Sequence, residues 1–225
     1  MDLKSGYPYW AIKNGLMQAF PPLQADLRCE VAIIGGGITG ALIADELAGH
    51  GHDVAVIEQR DVGWGSSSAS TALLQYEIDT HMIDLAKRYG EADAALAYGK
   101  CVEAIGMLQD KARDVRDVDF GRMDSLYYAS KRRHAGALRE EFGMRLRHGF
   151  QVELLERDGL RERYGIDAPV AILSRQAARI DPYRMAYRLL ARLQKRGSAI
   201  FDRTRIDRIQ ATSRSVVLQT AQGHT

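Results

Sequence analysis

The most constraining feature of the sequence is a glycine-rich hexapeptide placed between an apolar run and a helical pattern. Glycines at 35, 37 and 40 fit the spacing G-x-G-x-x-G. The preceding run, 29–34, is rich in β-branched residues and predicts a buried strand, whereas 41–48 continues with helical spacing. Strand, glycine turn and helix in this order are typical of the first crossover of a dinucleotide-binding fold.

A second apolar run, 53–58, ends in a carboxylate, Glu58, eighteen positions after Gly40. An acidic residue at this interval accepts hydrogen bonds from ribose hydroxyls in dinucleotide-binding folds. Its negative charge would repel a 2′-phosphate, which argues against NADP as the ligand. The alternative is a purely structural strand–helix–strand turn without a ligand, but this alternative does not explain why the complete pattern is present.

Each glycine of the hexapeptide has a separate physical task. Gly35 permits the tight turn out of the strand, and Gly37 lets a pyrophosphate approach the backbone because it has no Cβ. Gly40 allows the helix to pack closely on the strand. The helix beginning near Ile38 directs its free N–H groups and the positive end of its dipole toward the phosphates.

Composition restricts the other function classes. The 225 residues carry a net charge of +2, so electrostatics alone imply no nucleic-acid partner. The two cysteines, Cys29 and Cys101, form no metal or redox motif, and we expect no metal site. The longest apolar stretch, 31–44, is too short to span a bilayer, and no signal sequence is recognisable at the N-terminus. These features predict a cytoplasmic protein without a transmembrane segment.

The segment after Glu58 distinguishes between two dinucleotides. An NAD domain needs a helix and a third parallel strand soon after this position. Residues 59–74 instead form a loop rich in small and hydroxyl-bearing residues. Such a loop suits a second set of contacts to a longer cofactor, through backbone N–H groups and serine hydroxyls. Because apolar residues follow at once, we interpret it as an ordered loop rather than as a flexible linker.

Three segments together resemble a known family: V-A-I-I-G-G-G-I-T-G, then V-A-V-I-E-Q-R, then G-W-G-S-S-S. They are similar to the FAD-dependent oxidoreductases of the D-amino-acid oxidase superfamily, which includes glycine and sarcosine oxidases and γ-glutamylputrescine oxidase-like enzymes. The aromatic run Tyr7–Trp10 resembles the leader that some amine-oxidase-like members carry. The resemblance implies FAD as cofactor and a small-molecule amine or amino acid as substrate.

The resemblance also implies a set of cofactor-binding residues. The glycine turn would hold the pyrophosphate, Glu58 would bind the adenosine ribose, and Gln59 or Arg60 would lie beside the adenine. Where many members have a glycine near the flavin ring, this chain has Ser70, Thr71 and Ala72. The complete predicted set is Gly35, Gly37, Ile38, Thr39, Gly40, Glu58, Gln59, Arg60, Gly65, Ser66, Ser67, Thr71 and Ile206.

The predicted fold class is α/β, with a Rossmann-like FAD-binding sheet of the glutathione-reductase type and an inserted helical and β region. We expect a leader at 1–25, a first FAD-binding segment at 26–78, an inserted substrate region at 79–173, and a second FAD-binding segment at 174–225. The last segment ends soon after a strand, so the C-terminal half of the enzyme is expected to be missing.

Within the insertion, the pattern predicts helices over 80–115 with a break near Gly90, a strand at 125–129, a helix at 132–147, a strand at 151–155 and a helical turn at 160–164.

Within the second FAD-binding segment, Asp181 followed by proline predicts a helix start, because aspartate caps free N–H groups and proline suits the first turn. Residues 199–201 are interpreted as a delayed third parallel strand beside the second one. Residues 206–209 and 216–220 are expected to form an antiparallel pair.

The leading functional hypothesis is an FAD-dependent oxidoreductase that transfers a hydride from an amine or amino acid to the flavin. One alternative is an NAD-dependent dehydrogenase, which needs the prompt third strand described above. The other is a non-catalytic, truncated dinucleotide-binding module. No catalytic acid or base is identified in the sequence.

Overall fold

The computed structural model describes residues 6–225, so residues 1–5 of the predicted leader lie outside the described part of the chain. Contacts between residues divide the chain into two compact units. The first unit comprises the described residues up to Ala72 together with Val115–Val118 and Asp181–Thr225, and the second comprises Leu73–Asp114 and Asp119–Ile180.

The chain alternates between helices and strands. The helices are α1 (Tyr9–Asn14), α2 (Ile38–Gly49), α3 (Met82–Tyr89), α4 (Glu91–Val115), α5 (Ala135–Arg147), α6 (Arg157–Tyr164) and α7 (Pro182–Lys195). The strands are β1 (Val31–Ile34), β2 (Val54–Ile57), β3 (Leu73–Leu74), β4 (Gly121–Tyr128), β5 (Val152–Glu156), β6 (Val170–Arg179), β7 (Ala199–Phe201), β8 (Ile206–Ala211) and β9 (Val216–Thr220). Among the described residues, no helix is both long enough and apolar enough to cross a membrane.

The first unit contains a parallel sheet with the order β1–β2–β7. Ile33 pairs with Val56, and Val56 pairs in turn with Ile200. All four residues of β2 are buried, as expected for a central parallel strand that reads as a continuous apolar run. The predicted strand–helix–strand unit and the delayed third strand beside the second one are therefore confirmed.

Helix α7 connects the two parts of this unit. The side chain of Asp181 accepts a hydrogen bond from the Arg184 amide at 2.9 Å, and Pro182 occupies the first turn, so the predicted helix start is confirmed. Arg192 reaches α2 and forms an ion pair with Asp45 at 2.6 Å. The first unit ends in the predicted antiparallel pair, β8 and β9, joined by a turn in which the Thr212 amide donates to the Ser215 carbonyl.

The second unit contains an antiparallel sheet around β6, which pairs with β4 along one edge and with β5 and β3 along the other. The predicted helical break is present, because Gly90 has φ +96° between α3 and α4. The predicted strand at 125–129 is longer in the structure and begins at Gly121. The predicted helical turn at 160–164 begins earlier, at Arg157.

Strand β6 was not predicted, and it moves the domain boundaries. The expected boundary at 173/174 falls inside this strand, whereas the structure divides the chain after Ile180. The expected boundary at 78/79 likewise shifts to 72/73, because β3 pairs with β6 in the second unit. Residues 115–118 return to the first unit, which the sequence analysis did not anticipate.

A buried ion pair lies in the centre of the second unit. Arg145 and Glu141 are 1% and 0% exposed, and the guanidinium Nε donates to the carboxylate at 2.7 Å. The same carboxylate accepts hydrogen bonds from the amides of Met82 and Ile83, both at 3.0 Å, at the start of α3. Burial raises the pKa of the adjoining Tyr76, although the positive charge of Arg145 opposes this shift. One carboxylate therefore fixes α3, α5 and the arginine together.

We expect Arg145→Ala to lower the free energy of unfolding by about 3–5 kcal/mol, because it leaves Glu141 charged and buried without its partner. Arg139→Ala on the same helix is the control. Its ion pair with Glu156 is bidentate but exposed, and such pairs contribute about 0–1 kcal/mol. Urea denaturation of both variants measures the difference. Equal losses in the two variants would contradict the structural role assigned to the buried pair.

Candidate functional site

The glycine turn between β1 and α2 is held by a very close backbone contact. Gly35 has φ +111°, a conformation that favours glycine. A Cβ on Gly40 would lie 2.0 Å from the carbonyl oxygen of Gly35, so no other residue fits there without a shift of the backbone. The first turn of α2 therefore packs closely against the C-terminal end of β1, and the N-terminal amides of the helix lie at that edge of the sheet.

The N-terminus of α2 provides hydrogen-bond donors. Gly37 is the N-cap residue, and because glycine has no side chain, no side-chain capping bond is made there. The Ile38 amide donates to Ser67 Oγ at 2.9 Å. The first-turn amides of an α-helix have no partner inside the helix, and with the helix dipole they form an anion-binding end. Thr39 is exposed at this end.

Glu58 connects the glycine turn with the residues after β2. The residue is 9% exposed. Its Oε2 accepts from the Gly36 amide at 2.8 Å, and its Oε1 accepts from the Arg60 amide at 2.9 Å. An ionised carboxylate has about four lone-pair sites, so about two remain for further donors such as ribose hydroxyls. The carboxylate is therefore fixed in place and retains acceptor capacity.

The hydroxyl-rich segment forms a 3₁₀ turn over Ser66–Ala69, in agreement with the prediction of an ordered loop. Ser68 is fully buried, and its hydroxyl donates to the Gly65 carbonyl at 2.7 Å. Ser67 faces the glycine turn, since a Cβ on Gly37 would lie 3.1 Å from its Oγ. Ser66 is exposed. Because residue 37 is glycine, a space stays open between the glycine turn and the 3₁₀ turn. We call this space the cradle, and a side chain at residue 37 would fill it.

Most of the predicted site residues are brought together by these contacts. The glycine turn is linked to Glu58 through Gly36 and to the 3₁₀ turn through Ile38. A Cβ on Gly65 would lie 3.6 Å from Arg60 Nη2, so the third predicted segment also adjoins the second. Gln59 is exposed between Glu58 and Arg60.

Thr71 and Ile206 are not linked to this group by the hydrogen bonds of the described residues. Thr71 is exposed beyond the 3₁₀ turn, and Ile206 begins β8, where it pairs with Thr220. The nearest link from this part of the chain is made by the preceding Thr204, whose amide donates to the Glu58 carbonyl at 2.8 Å. Whether Thr71 and Ile206 contact the cofactor stays a prediction.

Two residues of this site were not identified from the sequence. Gly36 occupies a variable position of the G-x-G-x-x-G pattern, but a Cβ there would lie 3.1 Å from Glu58 Cβ and 3.2 Å from Val62 Cγ2. Gly63 has φ +71°, and a Cβ there would lie 2.9 Å from the ring of Tyr183. The three consecutive glycines and the G-x-G pair at 63–65 were visible signals for both positions.

The chemistry of the arrangement fits the diphosphate and a ribose of a dinucleotide. Helix amides and serine hydroxyls offer donors to an anion, and a fixed carboxylate offers acceptors to a pair of sugar hydroxyls. The glycine turn leaves room for close approach of the diphosphate to the backbone. Among the described residues, no cluster of histidine, cysteine and acidic side chains is arranged to hold a metal ion.

Comparison with protein families agrees with this geometry. The profile of the DAO family, described as FAD dependent oxidoreductase, matches residues 30–225. Gamma-glutamylputrescine oxidoreductase of Escherichia coli is 27% identical over 220 residues, which cover 96% of this chain and 51% of the relative. Glycine oxidase of Geobacillus kaustophilus is 49% identical over a shorter stretch of 47 residues. The chain spans about half the length of gamma-glutamylputrescine oxidoreductase.

Solved structures show the same fold. The crystal structure of glycine oxidase from Geobacillus kaustophilus matches with a TM-score of 0.72 and 22% identity, over 87% of this chain and 52% of that one. L-alpha-glycerophosphate oxidase from Mycoplasma pneumoniae, solved with FAD bound, matches with a TM-score of 0.71 and 15% identity, over 88% of this chain and 50% of that one. The α/β fold predicted from the sequence is confirmed.

We expect Gly40→Ala to destabilise the protein by about 1–3 kcal/mol, because the added Cβ meets the Gly35 carbonyl and forces α2 away from β1. Gly49→Ala at the other end of α2 is the matched control, since its Cβ would meet nothing within 4 Å. Alanine there should stabilise the helix by up to about 1 kcal/mol. Thermal unfolding compares the two, and equal melting temperatures would contradict the close contact.

Proposed function

Because this chain belongs to the DAO family of FAD-dependent oxidoreductases, we propose that the protein carrying it oxidises a C–N bond of an amine or amino acid. The observation that carries the cofactor part of the proposal is the hydrogen-bonded union of three segments, made by Glu58 with the Gly36 amide and by Ser67 with the Ile38 amide. This union forms a cradle whose donors and acceptors suit the adenosine diphosphate part of FAD.

The chain's own residues bind and orient the cofactor. The amides in the first turn of α2 and the hydroxyls of Ser66 and Ser67 would donate to the pyrophosphate, and Glu58 would accept from the ribose hydroxyls. Gly37 leaves the space in which the phosphates reach the backbone. When bound, FAD would serve as the two-electron oxidant of the C–N bond. The protein's contribution is orientation and electrostatics.

An amine or amino acid is the favoured substrate class. Gamma-glutamylputrescine oxidoreductase is similar along 96% of the chain, whereas the glycerol-3-phosphate dehydrogenases of Staphylococcus match over only 22% of it. The glycine turn, Glu58 and the hydroxyl segment carry no information on the substrate, so this preference rests on the length of the match. Oxidation of a C–O bond is the competing reaction within the same family.

The NAD-dependent alternative is disfavoured by the sheet. It requires a third parallel strand soon after Glu58, but the neighbour of β2 is β7, which begins at Ala199. The non-catalytic alternative is favoured by no contact of the described residues, and the reduction experiment below tests it directly.

The central test is anaerobic reduction of the bound flavin in the purified protein. We expect a yellow protein whose flavin absorbance bleaches on addition of amines or amino acids. The test can be made without oxygen, because reduction of the flavin by its substrate needs no further electron acceptor. Bleaching by glycerol 3-phosphate alone would identify C–O oxidation instead. Failure to retain flavin would overturn the proposal, and retained flavin that no donor reduces would support the non-catalytic alternative.

We expect Gly37→Val to weaken FAD binding by about tenfold or more, because the new side chain fills the cradle beside Ser67, where a Cβ already lies within 3.1 Å of Oγ. The control is Gly136→Val, an exposed helical position with nothing within 4 Å of the added Cβ. Fluorescence titration of the apoprotein with FAD measures both dissociation constants. Unchanged affinity in Gly37→Val would refute the assignment of the cradle.

We expect Glu58→Gln to raise the FAD dissociation constant by about tenfold or more, because hydrogen bonds to a charged acceptor contribute about 1.5–3 kcal/mol. Glu46→Gln, an exposed carboxylate on α2, is the control. Melting temperatures of both apoproteins show how much of the effect comes from the Gly36 and Arg60 amides. A dissociation constant within twofold of the unmodified protein would rule out a ribose contact.

A further inference from the structure

The aromatic leader precedes the region that the family profile matches, which begins at residue 30. We infer that residues 7–16 of this leader are a positioning element of the cofactor site: they hold residues 63–71 of the hydroxyl-rich segment in the geometry that FAD requires. The inference rests on the proposed cofactor site and extends it to residues that no motif assigned to it. Trp10 is the positioning residue.

The leader contacts the hydroxyl-rich segment on both sides of the 3₁₀ turn. The buried Trp10 donates from its indole Nε1 to the Ser70 carbonyl at 2.8 Å, across sixty positions of sequence. On the other side of the turn, the ring of Tyr7 meets the ring of Trp64 edge-on, with centroids 6.1 Å apart. The turn that carries Ser67 is therefore bracketed by two leader side chains.

The leader is itself anchored to α7. The Tyr183 hydroxyl donates to the Gly15 carbonyl at 3.0 Å, and Asn14 Nδ2 donates to Asp181 Oδ2 at 2.8 Å. Burial raises the pKa of the Tyr183 hydroxyl above its ordinary value. The same tyrosine ring packs against Gly63 of the hydroxyl-rich segment. Tyr183 on α7 thus contacts both the leader and the hydroxyl-rich segment.

A small displacement of this segment would disturb the cofactor contacts. Ser67 Oγ accepts from the Ile38 amide at 2.9 Å, so a shift of the 3₁₀ turn also changes the hydrogen-bond donors at the N-terminus of α2. Binding groups have to stay within about 0.5 Å of the productive geometry to keep their effect. The 3₁₀ turn has no buried apolar residue of its own, since Ala69 is exposed and Ser67 and Ser68 are polar, so the contacts made by neighbouring groups set its position.

The test is Trp10→Phe, which keeps an aromatic ring in the buried site and removes the N–H donor. Losing one hydrogen bond that positions the segment should weaken FAD binding by about two- to tenfold. The visible circular dichroism of the bound flavin should change, and amide hydrogen exchange over 65–71 should accelerate in the apoprotein. Tyr9→Phe is the matched control, because Tyr9 is 63% exposed on the same helix.

A second pair of variants keeps the inference testable if Trp10→Phe folds poorly. Tyr183→Phe removes the bond to Gly15 but keeps the ring beside Gly63, and it should weaken FAD binding in the same direction. Arg188→Gln on the same helix is its control, because the exposed Arg188 pairs with Asp117 rather than with the leader or Tyr183.

The outcomes separate the inference from the function on which it rests. A lower melting temperature with unchanged FAD affinity and unchanged flavin dichroism would make the leader merely structural and overturn the inference. An FAD dissociation constant within twofold in Trp10→Phe and Tyr183→Phe would overturn it as well. If the unmodified protein binds no FAD, the proposed function fails first, and that result is seen before any variant is made.

Discussion

The contact between Gly40 and the Gly35 carbonyl is the constraint on which the candidate site depends. A Cβ at residue 40 would lie 2.0 Å from that oxygen, so the absence of a side chain sets the distance between α2 and β1. The helix N-terminus can then stand beside Glu58 and Ser67, which accept hydrogen bonds from the Gly36 and Ile38 amides. A larger separation would carry the Gly36 and Ile38 amides away from these acceptors and out of the range of about 2.7–3.2 Å that N–H···O bonds need.

Local pattern predicted the elements of this site well. The period of apolar residues and the glycine spacing identified β1, α2 and β2, and the Asp181–Pro182 pair identified the start of α7. The links between segments were not predictable, because they join positions that are distant in sequence. Gly36 occupies a variable position of the glycine pattern, and its bond to Glu58 becomes apparent only when both loops are folded.

Strand β6 shows a different limit of sequence analysis. Val170–Leu173 is a short apolar run without alternation, since a strand covered on both faces has no polar side. Ser174, Arg175 and Gln176 then interrupt the run and hide its continuation to Arg179. The buried Arg145–Glu141 pair was equally invisible, because its spacing is the same as that of an exposed helical ion pair. In both cases burial decides the role of the residues, and burial is set by tertiary contacts.

The pairing of Val56 with Ile200 has a consequence for the order of folding. All strands of the second unit lie between these two positions, with β3, β4 and β5 pairing antiparallel with β6, so every residue of that unit is synthesised before β7. At about 5–20 residues per second, translation separates the end of β2 from the start of β7 by about 7–28 seconds. During this interval β2, whose residues are all apolar, has one unpaired edge in the nascent chain. An unpaired edge of an apolar strand is a template for pairing with other chains, so this edge of β2 stays open to such pairing until β7 is made.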